Sequence, residues 1–264
     1  MARIYNAHRS AKDPRDFGVA SFLASRKVSA APPSFDLQPW CGPVRDQGDE
    51  GSCTGHMGYA MRSLLLKKYE PARPFVNLSP QAIYTLARQM DGTFPGDEGS
   101  TGRTIVRVLN KFGVPPETDD PYSDATLDKS LSAQALADAA KYKAGAYHAL
   151  TNIQDMKLCI FSGYGFGVGF AVYDSFESDA TTKSGLMPVP DKTRERALGG
   201  HEVFFMGYND AVQCPGANVS GAFKVQNSWS TAWGQDGFFW FPYECVADSD
   251  VFYDAFIQHL GRPW

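Results

Sequence analysis

The chain has 264 residues, 43% hydrophobic and 13% aromatic, enough for one large or two modest packed domains and too apolar for a chain that stays disordered. Its formal net charge of −4 comes without a long run of one sign, which argues against nucleic acid or an anionic membrane as partner and for peptides, proteins or neutral molecules. No window approaches the roughly 20 apolar residues that a membrane-spanning helix needs, and "FGVASFLA" at 17–24, flanked by "KDPRD" and "SRK", matches a secretory leader poorly.

In chain order, residues 1–33 are polar and end in the Pro-rich "SAAPPS", which reads as an extended arm or linker ahead of a compact domain beginning near Phe35. After Cys53, "MGYAMRSLLLKKY" reads as an amphipathic helix, with Met57, Ala60, Met61, Leu64 and Leu65 at helical spacing. The stretch "LSPQAIYTLARQM" announces a second helix, with Ser79 suited to the N-cap and Pro80 to the first helical position. A third is "RTIVRVLNKFG", which Gly113 would cap. One short helix is expected at "NIQDMKLCIF". From about residue 144 the pattern turns to short β-branched and aromatic runs, "GVGFAV", "HEVFFMGYN", "AFKVQNSW" and "GFFWFPYE", separated by turn formers. Helices followed by strands predict an α+β chain of two segregated lobes, about 36–140 and 144–260, with a natural ligand site between them.

The five cysteines, Cys41, Cys53, Cys159, Cys214 and Cys245, allow up to two disulfides in an oxidising compartment, and spacing does not choose the pairing. No CxxC occurs, so a zinc ribbon has no support. Cys53 stands in "QGDEGSCTGH", at the start of the first helix, where the helix dipole and free N–H groups stabilise a thiolate. The alternative for a lone cysteine is a small buried hydrophobe. A nucleophilic thiolate needs a histidine partner. His201, in "GGHEVFFMGY", opens an apolar strand and suits a base held on rigid structure. His56 is the rival, three residues after Cys53, and the pair could also be half a metal site, but no second pair at ligand spacing completes one. In "VQNSWSTAWGQDGFFWF", Asn227 can fix the tautomer of an imidazole and Trp229 can shield that bond from water. Gln47, six residues before Cys53, can donate to a developing oxyanion together with the Cys53 backbone N–H.

Taken together these segments resemble the papain-like cysteine proteases. "PVRDQGDEGSC" resembles the family's oxyanion-glutamine and nucleophile segment, "GGHEVFFMGYN" its histidine strand, and "VQNSWSTAWGQDGFFWF" its Asn-Ser-Trp segment, in the order Gln, Cys, His, Asn; "LSPQAIYTL" matches a family helix, and the likeness runs from about Phe35 to at least Phe241. The resemblance implies a helical left lobe, a β-barrel-like right lobe, and a cleft with Cys53 as nucleophile, His201 as general acid/base, Asn227 as imidazole orienter and Gln47 as oxyanion donor, without metal or organic cofactor. It also implies substrate contacts at Gly99 and Ser100 in "EGSTGR", and makes Gly200 and Trp229 candidate contacts beside the histidine. Peptides or proteins would be the substrates and a monomer the working unit; family habit points to secretion, while the cytoplasm stays open because no leader is readable.

The chain also departs from the family. A disulfide that usually braces the nucleophile loop lacks both halves, with Glu50 and, by alignment, Leu86 in their places, so another device must hold that loop. Thr54 and Gly200 replace a common Trp and a common Asp or Asn, and "GSCT" with "GGH" resembles a bacterial branch. Alternation points Glu202 to the other face of its strand, with no evident role. The arm is much shorter than the family's helical pro-domain; it either lies across the cleft and restrains activity, as in a zymogen, or packs behind the right lobe. An endopeptidase is the leading expectation. An exopeptidase would need a blocker, such as "SFESDATTKSGLMPVPDKTRERAL", and a silent binding protein of the same fold is the alternative outside the enzymes.

Overall fold

A computed structural model describes residues 3–14 and 16–260. The helices are α1 (Ala20–Arg26), α2 (Cys53–Tyr69), α3 (Pro80–Asp91), α4 (Gly102–Lys111), α5 (Ala133–Ala139), α6 (Ile153–Phe161), α7 (Asp179–Ser184) and α8 (Tyr243–Val246). The strands are β1 (Ser34–Asp36), β2 (Ala144–Ala149), β3 (Phe166–Tyr173), β4 (Ala197–Asn209), β5 (Ala222–Gln226), β6 (Phe238–Pro242) and β7 (Phe252–Leu260).

Local chemistry accounts for the helix ends. Ser79 accepts from the Ala82 N–H with Pro80 at the first turn of α3, and Thr101 and Asn152 cap α4 and α6 in the same way. Gly113, at φ 84°, takes the left-handed turn just beyond α4, returning its N–H to the Val108 carbonyl. One expectation is corrected: α2 is not amphipathic. Every residue from Cys53 to Leu66 is buried, because α2 runs through the middle of the molecule with α3 and α4 on one side and β4 on another.

The strands form one antiparallel sheet in the order β2-β7-β3-β4-β5-β6, with β1 added to β4. Among the described residues it stays open, with β2 and β6 at its two ends, so the barrel-like right lobe of the sequence reading is an open antiparallel sheet and not a closed barrel. Strand β4 is central: it pairs with β3 through Phe170↔His201 and with β5 through Phe204↔Gln226, which sets the histidine strand beside the asparagine segment. A single apolar core runs from α2, α3 and α4 into Phe166, Phe170, Phe205, Phe223 and Phe239 of the sheet. All five cysteines are free and buried, so neither possible disulfide is formed.

The arm is not wholly extended. Its helix α1 buries Phe22, whose ring meets those of Tyr164 at 5.1 Å and His259 at 4.5 Å, and Arg103 of α4 pairs with Asp16. The helical spacing was present in "FGVASFLASR"; the reading of that stretch as a failed leader hid it.

Candidate active site

Cys53 is the first residue of α2, and Ser52 before it makes no side-chain cap, so the positive end of the helix faces the thiol. The backbone N–H groups of Thr54 and Glu202 favour its thiolate, but burial outweighs them and pushes Cys53 up to about 12. His201, on β4, is fully buried; burial pushes it down to about 4 against the opposing bond to Asn227. The two are therefore neutral in this covered state.

His201 Nε2 lies 2.9 Å from Asn227 Oδ1, so with the amide oxygen accepting, Nε2 carries the proton and Nδ1 is a bare acceptor without a partner among the described residues. The Trp229 ring stacks on the imidazole at 4.8 Å and 24°, and Phe170 meets it edge-on at 5.7 Å. Gln47 is fixed to the same segment: its N–H donates to the Ser228 carbonyl at 2.9 Å and its Oε1 accepts from Ser228 Oγ at 2.6 Å. Its Nε2 donates to the Glu50 carbonyl at 2.9 Å, closing the loop that leads into Cys53. Glutamine and asparagine segments, 180 residues apart in sequence, thus form one hydrogen-bonded unit.

The loop lacking the family disulfide is held by Tyr122, which the sequence reading missed. Its hydroxyl donates to the Gln47 carbonyl at 2.7 Å and accepts from Ser52 Oγ at 2.6 Å, while Gly51 N–H donates to Asp97 Oδ2 at 2.9 Å. No local pattern marks a loop tyrosine 75 residues from Gln47. Glu202 is fully buried opposite Gly169, and burial, reinforced by Asp254, pushes its carboxyl well above the usual range. His56 sits one helical turn beyond Cys53 and turns its Nδ1 back to the Ser52 carbonyl at 3.1 Å.

Residues 3–10 of the arm thread the space between the lobes. Arg3 lies over Trp229 at 4.0 Å, and Tyr5, bonded to Glu177, sets its ring 6.1 Å from those of His201 and Trp229. The Ala7 N–H donates to Gly200 O at 3.1 Å and the His8 N–H to Ser100 O at 2.9 Å. Gly99, at φ 76°, admits the Asn6 carbonyl so closely that a Cβ there would stand 1.8 Å from the oxygen, and at Gly200 it would stand 2.0 Å from that of Ala7. Gly99, Ser100, Gly200 and Trp229, the four candidate substrate contacts, all touch the arm.

The model of the papain family of cysteine proteases matches residues 31–254. An uncharacterized peptidase C1-like protein of Acanthamoeba polyphaga mimivirus is 31% identical over 234 residues, covering 83% of this chain and 70% of its own. Cathepsin C of Schistosoma mansoni is 26% identical over 226 residues; the match covers 79% of this chain and only 46% of the cathepsin. Among solved structures, xylellain, a cysteine protease from Xylella fastidiosa, superposes with a TM-score of 0.86 at 30% identity, over 98% of this chain and 96% of that one. The chain belongs to the papain family of cysteine proteases and is a thiol peptidase.

Proposed function

We propose that the chain is an endopeptidase working through Cys53, His201, Asn227 and Gln47, and that its arm restrains it until displaced. The observation that carries the reading is the 2.9 Å bond from His201 to Asn227 under the Trp229 ring, beside the helix that begins at Cys53. His201 Nδ1 takes the thiol proton as the sulfur attacks the peptide carbonyl. The oxyanion receives hydrogen bonds from Gln47 Nε2 and the Cys53 N–H, and His201 returns the proton to the leaving amine. Water, deprotonated by His201, then cleaves the thioester, releasing the carboxylate and restoring the thiol. Asn227 holds the imidazole in the tautomer that both half-reactions need.

The arm supports the endopeptidase reading because a continuous chain, residues 3–10, passes through the cleft from Trp229 to beyond Ser100. The 175–198 segment, the candidate blocker, is pinned to the sheet by Phe176, which packs against Trp233 and Phe239. Gly99, Ser100 and Gly200 offer the arm the main-chain contacts that a substrate would use, and this supports their assignment. The arm is the segment before Ser34, and the peptidase domain follows it.

Labelling with an irreversible epoxide inhibitor of thiol proteases, read by peptide mass spectrometry, tests the site. A single adduct on Cys53, absent in His201→Ala and far faster once the arm is cut between exposed Ser29 and Ala30, is the expected result. No adduct on the intact or the cut chain would leave a binding protein of this fold as the answer.

A further inference from the structure

Among the buried polar atoms near the site that have no hydrogen-bond partner among the described residues are His56 Nε2, Gln226 Oε1 and Asn227 Nδ2. The three residues are at most 4% exposed, and all three line one small cavity between the lobes, with Arg45, Tyr59, Glu202 and Ser228 among the rest of its wall. Its volume is about 10 Å³ of space for the centre of a water-sized sphere, which is room for one water and little else.

The surrounding network fixes what each atom needs. Tyr122 donates to the Gln47 carbonyl, so Ser52 Oγ must give its proton to Tyr122. Ser52 therefore offers only acceptors to His56 Nδ1, its carbonyl at 3.1 Å and its Oγ at 3.4 Å. Nδ1 must carry the imidazole proton, which leaves Nε2 a bare acceptor. Burial pushes His56 down to about 4, so it keeps this form at neutral pH. Gln226 uses its Nε2 on the Gly42 and Pro43 carbonyls at 3.2 and 3.3 Å, so Oε1, also an acceptor, is left over. Asn227 Oδ1 is occupied by His201 and by the Ser228 N–H at 2.8 Å, so Nδ2, a donor, is left over. One donor and two acceptors face a space the size of one water, which accepts one bond and donates two. The count closes for these three atoms; the Glu202 carboxyl oxygens, which also lack a partner among the described residues, lie against Gly102 and Gly169.

We propose that His56 is a positioning residue for Asn227, acting through one ordered water bonded to His56 Nε2, Gln226 Oε1 and Asn227 Nδ2. The inference rests on the catalytic reading of Asn227. The amide is then anchored at both ends, Oδ1 on the imidazole and Nδ2 on the water. A flipped amide would turn Nδ2 toward the proton of His201 and Oδ1 toward a water already committed to two acceptors. An apolar side chain at position 56 would preserve the packing but remove the acceptor that orients the water.

Two measurements test this. A high-resolution crystal structure of the full wild-type chain should show a water within about 3.2 Å of all three atoms; a dry cavity, or a direct bond among the three, overturns the proposal and needs no variant to fold. For kinetics, the full chain is folded intact and cut between Ser29 and Ala30, then assayed on a fluorogenic peptide. His56→Phe should lower kcat by about tenfold, the loss of roughly one hydrogen bond of orientation, with KM within about twofold. His56→Gln, which can present an amide oxygen, should recover most of the loss. An unimpaired His56→Phe, or a His56→Gln that falls as far as His56→Phe, overturns the proposal. His201→Ala is the control that separates the two failures: activity surviving that change sinks the catalytic site itself, whereas a dead His201→Ala beside an unimpaired His56→Phe sinks only the role of His56.

Discussion

Cutting the arm should change the reactivity of one cysteine by a calculable amount. Under the arm, burial holds Cys53 at about 12 against an ordinary value of 9.0. Three units correspond to about a thousandfold less thiolate at neutral pH than an exposed cysteine carries. His201 held at about 4 gives no compensating charge. With the arm gone, water reaches both groups, the imidazole can take the thiol proton, and the helix dipole adds to the stabilisation of the thiolate. The cut turns an intramolecular ligand into one that dilution removes, a change worth orders of magnitude in occupancy. The assay is the rate of Cys53 alkylation by iodoacetamide between pH 5 and 9, with the site identified by peptide mass spectrometry, on intact chain and on cut chain freed of its arm. The intact chain should label at least about a thousandfold more slowly at pH 7, its rate rising tenfold per pH unit across the range. The freed enzyme should reach a plateau near neutrality. Equal rates at Cys53 in the two forms would refute the argument that the arm suppresses the ion pair, wherever the arm lies.

Other expectations concern single side chains. Asn227→Ala should lower kcat by about 10- to 100-fold with little change in KM, because it frees the imidazole without removing it; a larger effect on KM than on kcat would contradict that role. Tyr122→Phe removes a donor to Gln47 and an acceptor for Ser52 together. It should cost about 1–3 kcal/mol in denaturant unfolding, and an unchanged midpoint would show that the loop is braced elsewhere. Glu202 has a folded-state value raised above its unfolded one, so its contribution is fully present below about pH 4 and lost as pH rises. Relative to Glu202→Gln, wild type should therefore lose stability from pH 5 to 8, by at most about 1.4 kcal/mol per pH unit; parallel curves for the two proteins would mean that the acid is not carried neutral.

The helices and strands were legible where chemistry is local. Ser79-Pro80 and the apolar spacing of "AIYTLARQM" mark α3 because a cap and a helical face need only neighbours in sequence. Helix α2 was found but its burial was misjudged: period reports one apolar face, whereas His56, Arg62 and Ser63 are buried by tertiary packing on all sides. The same reasoning separates Gln47, Cys53, His201 and Asn227, each announced by its own short motif, from Tyr122, which acts through two long-range hydrogen bonds and has no motif.

By itself the sequence determined the class of fold and the family, and it named the four side chains that the proposed chemistry uses, because each of these is carried by residue types in short motifs. Only the tertiary structure decided the open sheet, the free cysteines, the clamp at Tyr122, the buried acid at Glu202 and the path of residues 3–10. The physical reason is that these depend on partners far apart in the chain. The arm meets Gly200 and Ser100 through main-chain hydrogen bonds that almost any residue could make, so nothing in its side chains announces where it lies.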